Sequence, residues 1–79
     1  MSLEKKLIKE TKKWKKIIES KNLEEGETSS KNDEYIKNIK AYISDTNYFL
    51  EKEKYIKAFE AIIWAWAWYE IGKRENIIK

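Results

Sequence analysis

The sequence predicts an all-α protein, a three-helix up-and-down bundle, and three observations carry that expectation. Apolar residues recur at helical 3, 4 spacing in three separate stretches, and the breaks between the stretches are short. The chain has 79 residues, below the roughly 100 to 200 typical of a domain, so residues 1–79 form one domain whose three apolar stripes must share a single core. A single long helical hairpin that needs a partner is the alternative arrangement of the same stripes.

Helix one is expected over about residues 2–21. Leu3, Leu7, Trp14 and Ile18 repeat on one face, Thr11 fills the gap and Ile8 and Ile17 flank it. From Asn22 to Ser29 the periodicity is lost around Gly26 and three acids, which reads as a loop. Ser30 with Asp33 three residues later resembles a capping box and opens helix two, over about 31–51. Its core stripe is Ile36, Ile39, Ile43, Thr46 and Leu50, and a second stripe of Tyr35, Tyr42 and Phe49 runs beside it at heptad spacing. The combined face is wide enough to touch two other helices.

No Gly, Pro, Asn or Asp marks a break after Leu50, but the phase of the stripe does. Continued in register, the core positions would be Glu53, Lys57 and Glu60, whereas Tyr55, Phe59, Ile62, Trp66 and Tyr69 are offset by one. A tight turn is therefore expected at Lys52 to Lys54, and helix three over about 54–71. Gly72 can then cap its C-terminus, with Lys73 and Arg74 at the negative end of the helix dipole and Asn76 to Lys79 frayed.

Composition narrows the chemistry. Without Cys there is no disulfide, and without Cys or His a zinc site would rest on carboxylates alone. Four Trp, five Tyr and two Phe take the place of such staples, since each ring buries on the order of 150 to 250 Å². The balance of 42% hydrophobic to 39% charged residues belongs to a folded domain with a charged skin. The first ten residues contain charges throughout and make no secretory signal, and the longest apolar run, Ala61 to Tyr69, is less than half of the roughly 20 residues a membrane span needs. A cytoplasmic protein is expected. The absence of Gln and Cys, with twelve Ile, twelve Glu and sixteen Lys, points to a thermophile or an AT-rich genome.

Catalysis at neutral pH usually calls on His or Cys, so no enzyme is expected. Asp45, Glu60 and Glu70 could in principle form a carboxylate cluster for a hard cation, but they lack paired i, i+4 spacing on one face; solvated or ion-paired side chains are the better reading. Gly26 and Gly72 alone cannot write a phosphate-binding loop, and no cofactor is expected. Charge is uneven: residues 1–21 carry eight Lys and three Glu, while residues 22–53 carry four Lys and eight acids. Lys5, Lys9, Lys12 and Lys16 line up opposite the apolar stripe of helix one and can track phosphates, though a lysine row without Arg or interleaved aromatics is more often only solvated.

The most informative anomaly is helix three, where Ala61 to Tyr69 is apolar on every side. Trp64 and Trp68, four apart, point away from the inward set of Tyr55, Phe59, Ile62, Trp66 and Tyr69, and Ile71 continues that outer strip. Ala58, Ala61 and Ala65 leave room for a neighbouring helix to approach. Two readings compete: the two rings cover a groove beside another helix, or Trp64, Trp68 and Ile71 line a surface for a protein partner or a second copy. Membrane-surface binding through interfacial Trp is a third, weakened by the few lysines on the polar side of helix three.

Tyr42 and Asp45, then Tyr48, Phe49, Leu50 and Glu51, then Tyr55, Ala58, Phe59, Glu60 and Ala61, and finally Ala65, Trp68 and Gly72 make a pattern that resembles an archaeal family of small helical proteins, domain-of-unknown-function family 357. Ala and aromatics so spaced also resemble a tetratricopeptide-type hairpin, but one copy cannot build that array. Where the family's turn is expected to carry Gly-Asp this chain has Glu53-Lys54, and Glu70 replaces an expected Asp. The resemblance implies a three-helix bundle and an archaeal source, supports the turn, and implies no activity. It also implies a shared role for Asp45, Glu60 and Gly72, such as capping or pairing inside the bundle.

Overall fold

The computed structural model describes residues 2–21, 23 and 30–78. Three α-helices follow one another, α1 (Leu3–Glu19), α2 (Ser30–Glu51) and α3 (Tyr55–Arg74), with no strand among the described residues, as the stripes require. Ser2 caps α1, its hydroxyl accepting from the Lys5 N–H at 3.2 Å, and Glu4 sits in the first turn. Ser20 ends the helix, its Oγ donating to the Ile17 carbonyl at 2.5 Å. Of the expected loop Asn22 to Ser29 only Leu23 is described, packed against the core. α2 already begins at Ser30, so the segment that would cap it, residues 24–29, lies outside the described residues.

The break after α2 falls where the phase of the stripes put it, and separates α2 from α3 instead of merging them into one long helix. The Lys54 N–H bonds the Phe49 carbonyl at 2.8 Å and the Glu53 N–H bonds the Leu50 carbonyl at 3.1 Å, the paired bonds of a Schellman cap. Its left-handed residue is Glu53, φ 59°, a position that favours glycine.

The end of α3 corrects two expectations. Gly72 is not the cap: the helix runs on to Arg74, and the left-handed residue is Asn76, φ 59°, with the Ile77 N–H on the Gly72 carbonyl at 2.8 Å. Nor is the tail frayed over the described residues. Ile78 is 4% exposed and belongs to the core with Ile18, Ile39, Ile62 and Ala65, and the Asn32 side-chain amide donates to the Ile77 carbonyl at 3.0 Å. The tail thus crosses the end of the bundle onto the first turn of α2. Gly72 makes room for it, because a Cβ there would stand 2.5 Å from Ile78 Cδ1 and 3.2 Å from Tyr35 Cδ2.

α3 is the central helix, packed closely on α2, less on α1, while α1 and α2 barely meet. Ala58, Ala61, Ala65, Trp68 and Gly72 follow 3, 4 steps, and the Tyr35 contacts of the last two identify this stripe as the face toward α2. The three alanines are buried, so the two backbones approach closely. A second face meets α1: Trp66 Nε1 donates to the Trp14 carbonyl at 3.1 Å, and its ring lies edge-on to Trp14 (5.5 Å) and Tyr69 (5.6 Å). Of the expected inward set only Ile62 is fully buried; Tyr55, Phe59, Trp66 and Tyr69 are half-buried under α1.

Candidate functional site

Two neighbouring helices cannot surround a third, and what they leave uncovered on α3 mixes charged residues, Lys57, Glu60, Glu70, Lys73 and Arg74, with large apolar ones. Ile56, Ile63, Trp64 and Ile71 are exposed. At the seam with α2 the uncovered strip becomes concave, for a reason that begins in the heptad of Tyr35, Tyr42 and Phe49. Because α2 and α3 run antiparallel, Tyr35 meets Trp68 and Tyr42 meets Trp64. The first pair is edge-to-face, centroids 4.9 Å apart and planes at 76°; the second is stacked at 6.4 Å and 21°.

Tyr35, Trp64, Ala67, Trp68 and Ile71 enclose a concavity of about 190 Å³. The three residues expected at a partner surface, Trp64, Trp68 and Ile71, therefore meet at one place. Their burial differs: Trp68 is half-buried against Tyr35, whereas Trp64 keeps 55% of its surface exposed and Ile71 46%. Tyr35 and Ala67 were not among the expected lining residues. Tyr35 was legible only as part of the second stripe of α2, and pairing that heptad with positions 64 and 68 of an antiparallel neighbour is the signal that would have placed it.

Lys5, Lys9, Lys12 and Lys16 are all exposed along α1. Asp45, Glu60 and Glu70 are exposed as well, and among the described residues no three acidic side chains come together in a way that would hold a metal ion. Pairing of Asp45 and Glu60 inside the bundle, which the resemblance implied, is not what places them; Gly72 does have a structural part, as the floor under Ile78 and Tyr35. A second cleft, about 430 Å³, opens between the first turns of α1 and α3, with the exposed Leu3 and Ile56 on its rim and Leu7 and Tyr55 inside. There the Tyr55 phenol has its pKa raised, first by desolvation and then by the carboxylates of Glu53 and Glu4. No described helix is long and apolar enough to cross a membrane.

A central helix with a small-residue face toward one neighbour, a tryptophan face toward the other and a tail folded over a buried glycine defines a class of small helical bundle. Residues 6–78 match the family model described as protein of unknown function DUF357, and the chain belongs to that family. It is similar to a protein of Archaeoglobus fulgidus, a solved crystal structure of the same family, with 44% identity over 95% of this chain and 93% of that one and a TM-score of 0.78. That relative is archaeal, in line with the source the resemblance implied. No curated protein matches the chain significantly.

Proposed function

We propose that the protein is a non-enzymatic interaction module that recognises another polypeptide, a partner protein or a second copy of itself, through Trp64, Trp68 and Ile71. One observation carries this reading: the three side chains converge on a single apolar concavity while Trp64 and Ile71 remain about half exposed. Burying them removes apolar surface from water and tryptophan in a central pocket is the typical hot-spot residue, whereas a ring needed only for the bundle would be covered by it. The absence of His and Cys supports a binding role over a catalytic one.

Sedimentation equilibrium across a wide concentration range tests it, comparing wild type with Trp64→Lys/Ile71→Lys. These are exposed positions, so the variant is expected to fold. Concentration-dependent association that the double substitution abolishes supports self-recognition; association that survives it refutes this surface. If wild type is monomeric throughout, a photo-crosslinker at position 64 must capture one protein from cell extract, in competition with wild type and not with the double variant. Failure there removes the reading.

A second reading has its own observation, the exposed row of Lys5, Lys9, Lys12 and Lys16 on one face of α1. It predicts binding of nucleic acid or another polyanion that weakens steeply with salt. No binding of a mixed-sequence duplex or single strand at low salt excludes it.

A further inference from the structure

The geometry points to a more specific ligand for this surface: Tyr35, Trp64 and Trp68 form an aromatic box for a trimethylated lysine side chain of a partner protein. This rests on the interaction-surface reading and names the chemistry at its centre. Aromatic faces attract cations through their quadrupole, and three rings elsewhere on the chain are already served by its own lysines. Lys13 Nζ lies 5.4 Å from the Trp14 ring centroid, Lys52 5.8 Å from Tyr48 and Lys57 5.8 Å from Phe49. Among the described residues no lysine or arginine lies over Tyr35, Trp64 or Trp68, although the three rings line one concavity.

The corner has the form a compact cation needs. Tyr35 and Trp68 meet at 76° and make two walls, Trp64 a third, and Ala67 and Ile71 complete an apolar concavity of about 190 Å³. The lining decides which cation. A bare ammonium carries three N–H donors and a guanidinium five, and each needs an acceptor when it leaves water. Tyr35 offers one hydroxyl, the indoles only donate, and among the described residues no carboxylate lines the box. An ammonium whose hydrogens are replaced by methyl groups has no donors to satisfy, loses less on desolvation, and keeps its full charge for the rings.

The test titrates isotope-labelled full-length protein with three short glycine-flanked peptides. One carries trimethyllysine, one unmodified lysine, and one a neutral side chain of the same shape with a tert-butyl end. The four tryptophan indole N–H resonances report the site. The trimethyllysine peptide is expected to shift the Trp64 and Trp68 signals and to bind about fivefold or more tightly than the tert-butyl peptide. It is also expected to bind more tightly than the lysine peptide. Trp64→Leu should abolish binding and Trp64→Phe should retain most of it. Equal or tighter binding of the neutral peptide overturns the proposal, as do shifts confined to Trp14 and Trp66, or no shift at all. Choline binding as tightly as the peptide overturns the partner side chain as source. Should the peptides fail while Trp64→Lys/Ile71→Lys still abolishes association, the box is refuted and the interaction surface stands.

Discussion

Replacing Gly72 with alanine puts a methyl group where Ile78 already stands. The added Cβ would lie 2.5 Å from Ile78 Cδ1, 2.8 Å from Ile78 Cγ1 and 3.2 Å from Tyr35 Cδ2. Apolar carbons pack best about 3.5 to 4.0 Å apart. Two atoms of Ile78 are violated, one of them near the root of the side chain, so rotation of the terminal methyl does not clear the site and the tail must lift. Lifting it exposes an isoleucine now 4% accessible, which costs about 1.5 to 3 kcal/mol. It also breaks the bond from the Asn32 amide to the Ile77 carbonyl, about 1 kcal/mol. Against this, alanine inside a helix is better than glycine by about 1 kcal/mol. The net expectation is a loss of about 2 kcal/mol, or about 8 to 16 °C in melting temperature for a domain of this size.

Thermal and urea unfolding followed by circular dichroism measure it, with Ile78→Ala as a second background. In that background both Ile78 atoms are gone and only Tyr35 Cδ2 at 3.2 Å must give by a few tenths of an ångström, so Gly72→Ala should turn neutral or stabilising, by up to about 1 kcal/mol. A Gly72→Ala protein as stable as wild type, or an equal cost in both backgrounds, would show that the tail does not depend on the missing side chain. Because Tyr35 rests on the same glycine and walls the aromatic concavity, the substitution should also weaken whatever binds there.

Glu53→Gly should stabilise by about 0.5 to 1 kcal/mol: a left-handed non-glycine residue costs about 1 to 2 kcal/mol, partly offset by the larger unfolded-state entropy of glycine. A fall in the urea midpoint would refute the capping geometry. The Thr11 hydroxyl is buried with no hydrogen-bond partner among the described residues, so Thr11→Val should gain about 1 kcal/mol in the same assay, and a loss would reveal a partner. The Tyr55 phenol has its pKa raised above the ordinary 10.0, by desolvation first and then by Glu53 and Glu4, so the fold favours its protonated form. The stability this contributes is fully present below about pH 10 and is lost as pH rises through the raised value. Tyr55→Phe cannot ionise, and its melting temperature should gain on wild type only above that pH; parallel curves throughout would refute the shift.

Much of this molecule was legible in its sequence because its helices are periodic and its turn is a change of phase. The offset between Ile39, Ile43, Leu50 and the later set Tyr55, Phe59, Ile62 located a break that no turn residue marks, and the structure makes that turn with a strained glutamate. The tail was not legible. Asn76, Ile77 and Ile78 are too few to show a period, and the docking of Ile77 and Ile78 involves Asn32 and Tyr35, more than 40 positions away and close only because α2 and α3 are antiparallel. Gly72 was misread for the same reason: a glycine near a helix end looks like a cap unless one knows what crosses it.

The patch on α3 shows what periodicity alone leaves undecided. An apolar circumference says that a helix is covered on more than one side, and the bundle covers two: alanines and glycine toward α2, Trp66 and Tyr69 toward α1. A central helix in a three-helix bundle still keeps a third sector, and a domain that has no use for it fills it with charge. Here the sector holds Ile56, Ile63, Trp64 and Ile71 interleaved with the exposed Lys57, Glu60, Glu70 and Arg74. Packing requirements explain Trp66, whose indole N–H is bonded, and Trp68, which rests on Tyr35. They account only in part for Trp64, which stacks on Tyr42 at 6.4 Å yet keeps 55% of its surface exposed. A large, half-exposed ring retained beside two others is better accounted for by something that docks there than by the fold that presents it.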